Sequence, residues 1–278
     1  MDGEVSRRIL VPLDGSMSAE GPLEIASALA ELMEGELHAL HVAPEPMSED
    51  AMAARARIPR AWRERVRLHS GSGDAVAEIR RVATELHSLA VVISSHGATR
   101  NLKLPAGHVT LGVLADPPCP VLVVRSALSA TSQAHRIRHL RRILAPLDGS
   151  AEAVLSMEHA CAIAVKTQAR VMILHVIDVS GRVPVAAPVY GDQSQYEMEA
   201  WEDEFLRSSF AQVPRPPELK TQVALRRGEP GNEIANFAQD EDCDLIVAAW
   251  GGRLSPGRAV VVRALLERAP CPLLFLRA

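Results

Sequence analysis

Short, nearly continuous apolar runs alternate with longer amphipathic stretches along this chain. Ile9-Leu10-Val11-Pro12-Leu13 opens the pattern. A run of that kind suits a strand buried on both faces. Asp14-Gly15-Ser16 breaks it, and a helix follows with Ser16 or Ser18 as N-cap and Leu23, Ala26, Leu29, Ala30 and Met33 on one face. Gly35 is expected to end that helix. Strands are then predicted at Leu37–Val42, Val66–Leu68, Leu89–Ile93 and Pro120–Val124. Between them fall an Ala- and Arg-rich helix over Ser48–Arg65, interrupted near Pro59, and a helix capped by Asp74 that carries Val76, Ile79, Val82, Ala83 and Leu86. A last helix covers Gly107–Asp116. The second half repeats the order, with strands at Ile143–Leu147, Val171–Val176, Val223–Leu225, Leu245–Ala248 and Leu273–Leu276.

The repetition extends to the residues themselves. Arg7–Ser16 reads RRILVPLDGS and Arg141–Ser150 reads RRILAPLDGS, nine matches in ten at an offset of 134. The same offset aligns Leu40-His41-Val42 with Leu174-His175-Val176. Pro118-Cys119-Pro120 matches Pro270-Cys271-Pro272 at an offset of 152, so the second copy carries 18 extra residues, placed within Val179–Pro217. The expected organisation is one domain over 1–126, a linker over 127–140, small and polar at its start, and a second copy of the domain over 141–278. Alternating strands and helices imply an α/β fold: two tandem Rossmann-like (flavodoxin-like) domains, each a five-stranded, mainly parallel sheet with helices on both faces. Ligands in such sheets bind beyond the carboxyl ends of the strands, which directs attention to the loops after strands one, two and four.

Composition narrows the classes of partner. Among 278 residues, 47% are hydrophobic, 23% charged and only 3% aromatic, with a net charge of −4. There is no basic excess, and rings for base stacking are few, which argues against nucleic acid as a partner. No apolar run approaches the roughly 18 residues of a membrane span, and the polar start Met1–Arg8 has no signal-type stretch. Cys119, Cys161, Cys243 and Cys271 form no CxxC, so a reducing cytoplasm is the simplest compartment.

Asp14 and its repeat Asp148 could accept hydrogen bonds from a nucleoside; an Asx turn or a helix cap needs the same residue type. After strand four of copy one the sequence reads Ser94-Ser95-His96-Gly97, then nine residues, then Gly107-His108-Val109-Thr110. Small residues let backbone N–H groups approach a phosphate, and a helix starting at Gly107 offers its positive end to the same anion. A glycine-hinged loop without ligand fits equally. There is no Gly-Lys-Ser/Thr of a P-loop and no GxGxxG after strand one.

Together VPLDGS, the strand ending LHV, this glycine loop and the ending CPVLVV resemble the universal stress protein family, over both copies. The resemblance implies a stress-response regulator whose ATP-binding members use G-x-x-G, nine residues, then G-Ser/Thr. Carried onto this chain, Pro12, Asp14 and Val42 would hold the nucleoside of ATP or a related adenine nucleotide, with magnesium. Ser94, Gly97, Gly107, His108, Val109 and Thr110 would face the phosphates. Copy one departs from the pattern at Ser94, where glycine is expected, and at His108, where a small hydroxyl is expected. Copy two departs further: its loop reads Ala249-Trp250-Gly251-Gly252, only six residues separate Gly252 from Ala259, and Val260 takes the hydroxyl position. Copy two is therefore expected not to bind ATP, although Arg253 and Arg258 could draw an anion. The resemblance also implies an intramolecular pseudo-dimer in which Val121–Val124 and Leu273–Leu276 pair antiparallel about a pseudo-twofold axis. A further homodimer of the fused unit is marked by no residue. The alternative is a module without nucleotide that works through a protein or small-metabolite partner, using the insertion and the groove between copies. A slow ATPase ranks last, because no side chain stands out as a base.

Other polar groups read as structural. His38 and His41 point to opposite faces of one strand. His135 and His139 have a zinc-compatible spacing, with no Cys or carboxylate to complete a site and four arginines around them. Cys119 and Cys271 read as buried thiols, and the arginines at 55, 57, 60, 63, 65 and 67 as a solvated face.

Overall fold

A computed structural model of the chain describes residues 7–15, 20–45, 47–96, 106–179, 218–250 and 256–277. The expected N-caps Ser16 and Ser18, Gly97, the loop 98–105 and the insertion 180–217 lie outside these residues. Two compact units are present. The first comprises 1–139 together with 271–277, and the second 140–270.

In the first unit, β1 (Arg8–Pro12), β2 (Glu36–Ala43), β3 (Val66–Ser72), β4 (Ala90–Ser94) and β5 (Val121–Val124) form a parallel sheet in the order β3-β2-β1-β4-β5. Successive strands step one way from β1 to β3, then the other way from β4 to β5. Right-handed crossovers consequently place helices on both faces, and the reversal lies between β1 and β4. The central strands explain the continuous apolar runs, since Ile9, Leu10, Val11, Val91 and Val92 are fully buried. The closing strand of the chain, β10 (Leu273–Arg277), runs antiparallel to β5, with Leu273 opposite Val123 and Phe275 opposite Val121. The expected pairing of these two segments is thus present. It assigns Leu273–Leu276, read as the fifth strand of copy two, to the first unit.

Helices α1 (Glu20–Met33), α2 (Glu49–Arg55), α3 (Arg60–Arg63), α4 (Ala75–Glu85), α5 (His108–Ala115) and α6 (Ala130–Arg138) complete the unit. Ser48 caps α2 and Asp74 caps α4, each accepting a backbone N–H three residues on, at 3.3 and 2.8 Å. The Ser48–Arg65 helix is in fact two, separated by Arg57 at φ 55° and restarted after Pro59. The stretch expected as a linker carries α6, capped by Ser129. This helix packs on α1: Gly21 meets Ala130, and Arg138 pairs with Glu31 at 2.8 Å. α1 also buries Ile25, Ser27 and Ala28 beyond its expected face, Ser27 being hydrogen-bonded to Glu31 and Arg65, while Leu29 and Met33 are half-buried. Gly35 does not supply the left-handed turn after α1; Glu34 does, at φ 54°. Gly35 is needed for space instead, because a Cβ there would lie 2.1 Å from the Arg7 carbonyl oxygen.

The second unit holds β6 (Arg142–Leu147), β7 (Arg170–Asp178), β8 (Thr221–Gly228) and β9 (Leu245–Trp250), parallel in the order β9-β6-β7-β8. Helices α7 (Ala151–Thr167), α8 (Pro230–Asp240) and α9 (Pro256–Arg268) accompany them. The edge strands β3 and β8 are longer than the apolar pattern indicates. Apart from glycines, their added residues are polar and half-buried or exposed, as an edge position allows.

A histidine pair lies between β2 and β3. His38 Nδ1 and His69 Nε2 are 2.8 Å apart with stacked rings, and Glu36 Oε2 is 3.6 Å from His38 Nε2. Burial holds both pKa values below the ordinary 6.5, with the neighbouring imidazole adding to the effect at His38; burial also lowers His175. Such groups fold neutral and gain protons on unfolding. Their contribution is complete above about pH 6.5 and declines as pH falls through the lowered values. Urea unfolding between pH 7.5 and 5.5 is expected to show stability decreasing steadily with acidity below pH 6.5. A flat profile across that window would contradict the assignment.

Candidate functional site

The loops after β1 and β4 flank the reversal in strand order, and the structure brings them to the same end of the first unit's sheet. Leu13, the residue after β1, is held at both backbone groups. Its N–H donates to the Leu40 carbonyl at 2.8 Å, and its carbonyl accepts from His41 Nδ1 at 2.7 Å. Asp14 follows and is exposed. Gly15 has φ +72°, and a Cβ there would lie 2.5 Å from the Arg55 carbonyl oxygen, so only glycine lets the end of α2 approach this turn. Pro12 is level with Leu40, and the half-buried Val42 with Gly71.

At the end of β4, Ser94 is half-buried and its carbonyl accepts from the buried Thr110 hydroxyl at 2.8 Å. The Gly107 N–H donates to the Ser95 carbonyl at 2.7 Å. Two of the residues expected at phosphates therefore spend their donors on docking α5 against β4. Gly107 is the N-cap of α5 and gives no side-chain cap. His108 is exposed and Val109 half-buried. The first N–H groups of a helix have no intrahelical acceptor, so the backbone of His108 and Val109 presents donors there. The other end of α5 is held by Arg80, which donates to the Gly112 carbonyl at 2.7 Å; a cation suits a helix C-terminus.

Two features escaped the sequence reading. Ser95 is buried, and its hydroxyl accepts the Ser126 N–H at 3.1 Å, while the Ser126 hydroxyl donates to the His96 carbonyl at 3.0 Å. This web ties the end of β4 to the residues after β5. Strand alternation turns Ser95 to the face opposite Ser94, which is also an interior position in a sheet covered on both faces. The second is His41, whose sole sequence signal was recurrence as His175. His175 makes the same contact, Nδ1 to the Leu147 carbonyl at 2.9 Å.

The second unit differs where expected. β9 extends through Trp250, which is buried. α9 begins at Pro256, so the residues aligned with Gly107 and His108, Ala259 and Val260, fall inside a helix and not at its start. There the N–H of residue 260 is engaged by the carbonyl four residues earlier. Arg253 and the side chain of Arg258 lie outside the described residues. Asp148 Oδ1 accepts from the Ser150 N–H at 3.0 Å and from its hydroxyl at 2.5 Å, which is the Asx-turn role.

Elsewhere, a groove of about 480 Å³ opens at the amino-terminal ends of β2 and β3, away from the Asp14 turn. Its carboxylates are largely neutralised, as Glu31 pairs with Arg138, Glu34 with Arg7 and Glu36 with Arg67. His135 and His139 sit 4.6 Å apart, and among the described residues no three His, Cys, Asp or Glu gather into a metal site. Burial pushes the Cys119 and Cys243 thiols up to about 12, which removes nucleophilic character at neutral pH. No helix among the described residues is long and apolar enough to cross a membrane.

Comparison with known proteins gives the same assignment for both halves. The universal stress protein family model matches residues 6–125 and 139–277. A universal stress protein of Methanocaldococcus jannaschii is 28% identical over 145 residues, covering 49% of this chain and 82% of that protein. Among solved structures, a functionally unknown protein of Pseudomonas aeruginosa PAO1 aligns over 98% of this chain and 92% of its own at 19% identity, with a TM-score of 0.68. A universal stress protein from Archaeoglobus fulgidus DSM 4304 aligns over 97% of this chain and 96% of its own at 17% identity and a TM-score of 0.66. With both copies matched, the chain belongs to the universal stress protein family, in a tandem form.

Proposed function

We propose that the first unit binds an adenine nucleotide, ATP with magnesium, and that the chain serves as a cytoplasmic stress-response regulator acting by binding rather than turnover. The nucleoside would lie against Pro12, Asp14 and Val42. The phosphates would meet the start of α5, with Ser94, Gly97, Gly107, His108, Val109 and Thr110 around them. The observation that carries this reading is α5 itself: an eight-residue helix whose N-terminus, begun by glycine and capped by no side chain, stands beyond the end of β4. The second unit, whose helix runs through the corresponding positions, would be structural. Nucleotide binding would alter a surface that a partner recognises.

Calorimetric titration with ATP and magnesium tests the reading. Saturable binding is expected in the wild type, together with at least tenfold weaker binding in Asp14→Ala. No heat and no thermal shift at millimolar nucleotide would reject it.

A second reading has its own support. The Thr110 hydroxyl and the Gly107 N–H already have acceptors, and His108 offers no small hydroxyl. On that reading the chain works through a protein or small metabolite without nucleotide. Partner capture that is indifferent to ATP and to Gly107→Trp would favour it.

A further inference from the structure

We propose that His41 is the positioning residue of the nucleotide site, acting through the Leu13–Asp14 peptide. This rests on the reading that the first unit binds nucleotide. Asp14 would have to present its carboxylate in one direction, yet it sits on an exposed turn after the last paired residue of β1. A turn of that kind rotates freely unless its peptide planes are held. Here the Leu13 N–H is bound by Leu40 and the Leu13 carbonyl by His41, two adjacent residues of β2. The peptide plane leading into Asp14 is thereby fixed from β2.

The chemistry of the contact is specific. A carbonyl only accepts, so His41 Nδ1 carries the proton. The ring is buried at 4% exposure, where a lost donor would leave the Leu13 carbonyl unpaired. The next residue, Gly15, closes the turn at φ +72° with the imidazole Cε1 3.7 Å from where its Cβ would stand. The second unit repeats the arrangement: His175 holds the Leu147 carbonyl, and Gly149 has φ +82°. There Asp148 accepts from Ser150, and the residues aligned with Gly107 and His108 lie within α9 rather than at its start. The same latch thus stands with and without the proposed phosphate half, which provides an internal control.

Three variants of the full chain separate positioning from packing. His41→Leu removes the donor, His41→Asn keeps one near the Nδ1 position, and His175→Leu makes the same loss in the second unit. ATP affinity is expected to fall about tenfold in His41→Leu, to stay within about threefold of wild type in His41→Asn, and to be unchanged in His175→Leu. Thermal melts should report similar losses for the two leucine variants. Hydrogen exchange at the Asp14 and Gly15 amides should accelerate in His41→Leu and recover in His41→Asn. Wild-type affinity in His41→Leu, or equal weakening in His175→Leu, overturns the proposal. Should the wild type take up no ATP, the nucleotide reading fails by itself, and exchange at Asp14 and Gly15 still decides the latch: unaltered protection in His41→Leu refutes it.

Discussion

Gly35→Ala is expected to destabilise the first unit by about 3 kcal/mol, although the glycine has no unusual φ. A methyl group there would stand 2.1 Å from the Arg7 carbonyl oxygen and 3.2 Å from its carbon. Both are backbone atoms and cannot rotate away. The same carbonyl accepts the Glu36 N–H at 2.9 Å, just ahead of the β1–β2 ladder that begins with Arg8 opposite Glu36. Relieving the clash moves Arg7 and breaks that bond, adding a lost hydrogen bond of about 1 kcal/mol to an overpacking cost of about 2 kcal/mol. Urea unfolding, read by amide exchange in β1 and β2 with β6 and β7 as internal reference, measures the loss. A cost below 1 kcal/mol, or one shared equally by β6 and β7, would contradict the clash.

Gly112→Ala in α5 is expected to cost about 2 kcal/mol, and most of that cost should vanish when Val76 is also changed to glycine. A Cβ at Gly112 would lie 2.6 Å from Val76 Cγ2 and 3.2 Å from Cγ1 on α4. The valine is stiff in a helix, so rotation does not clear the contact. In the second unit the sizes are exchanged. Gly231 stands two residues after the N-cap Glu229, as Val76 stands two after Asp74, and it faces Ala264, the residue aligned with Gly112. A Cβ on Gly231 would lie 2.5 Å from the Ala264 Cβ. Each copy therefore permits one side chain at this helix crossing and puts the glycine on opposite helices. The double variant moves the helix glycine from α5 to α4 without adding one, so a favourable coupling of about 1–2 kcal/mol is expected. Simple additivity in the double-mutant cycle would show that the two positions do not share this contact.

Much of the architecture was legible because the central strands are buried on both faces. The runs at Ile9 and Ile143 mark themselves, and Asp74 announces its helix as a cap. The missing parts have one physical origin: they depend on neighbours distant in sequence. β3 and β8 extend through Arg, Ser and Gly because an edge strand tolerates polar residues. α6 is a helix because α1 offers it a face. Gly35 resembles a helix terminator until Arg7 is brought against it. The site divides likewise. Asp14 and the start of α5 were readable as local motifs, whereas the engagement of Thr110 with Ser94 and of His41 with Leu13 appears only once separate strands are adjacent.

The antiparallel pairing of β5 with β10 also sets a timetable. Val123 waits for Leu273, 150 positions further along the chain. At a synthesis rate of roughly 5–20 residues per second, that interval is on the order of 8–30 s. The residues of all five parallel strands of the first unit are synthesised long before then, while the partner of the apolar edge Val121–Val124 is still missing. An open edge of this kind invites pairing with another chain. On the ribosome, the hazard for this protein is thus a nascent neighbour that reaches β5 before its own last strand does.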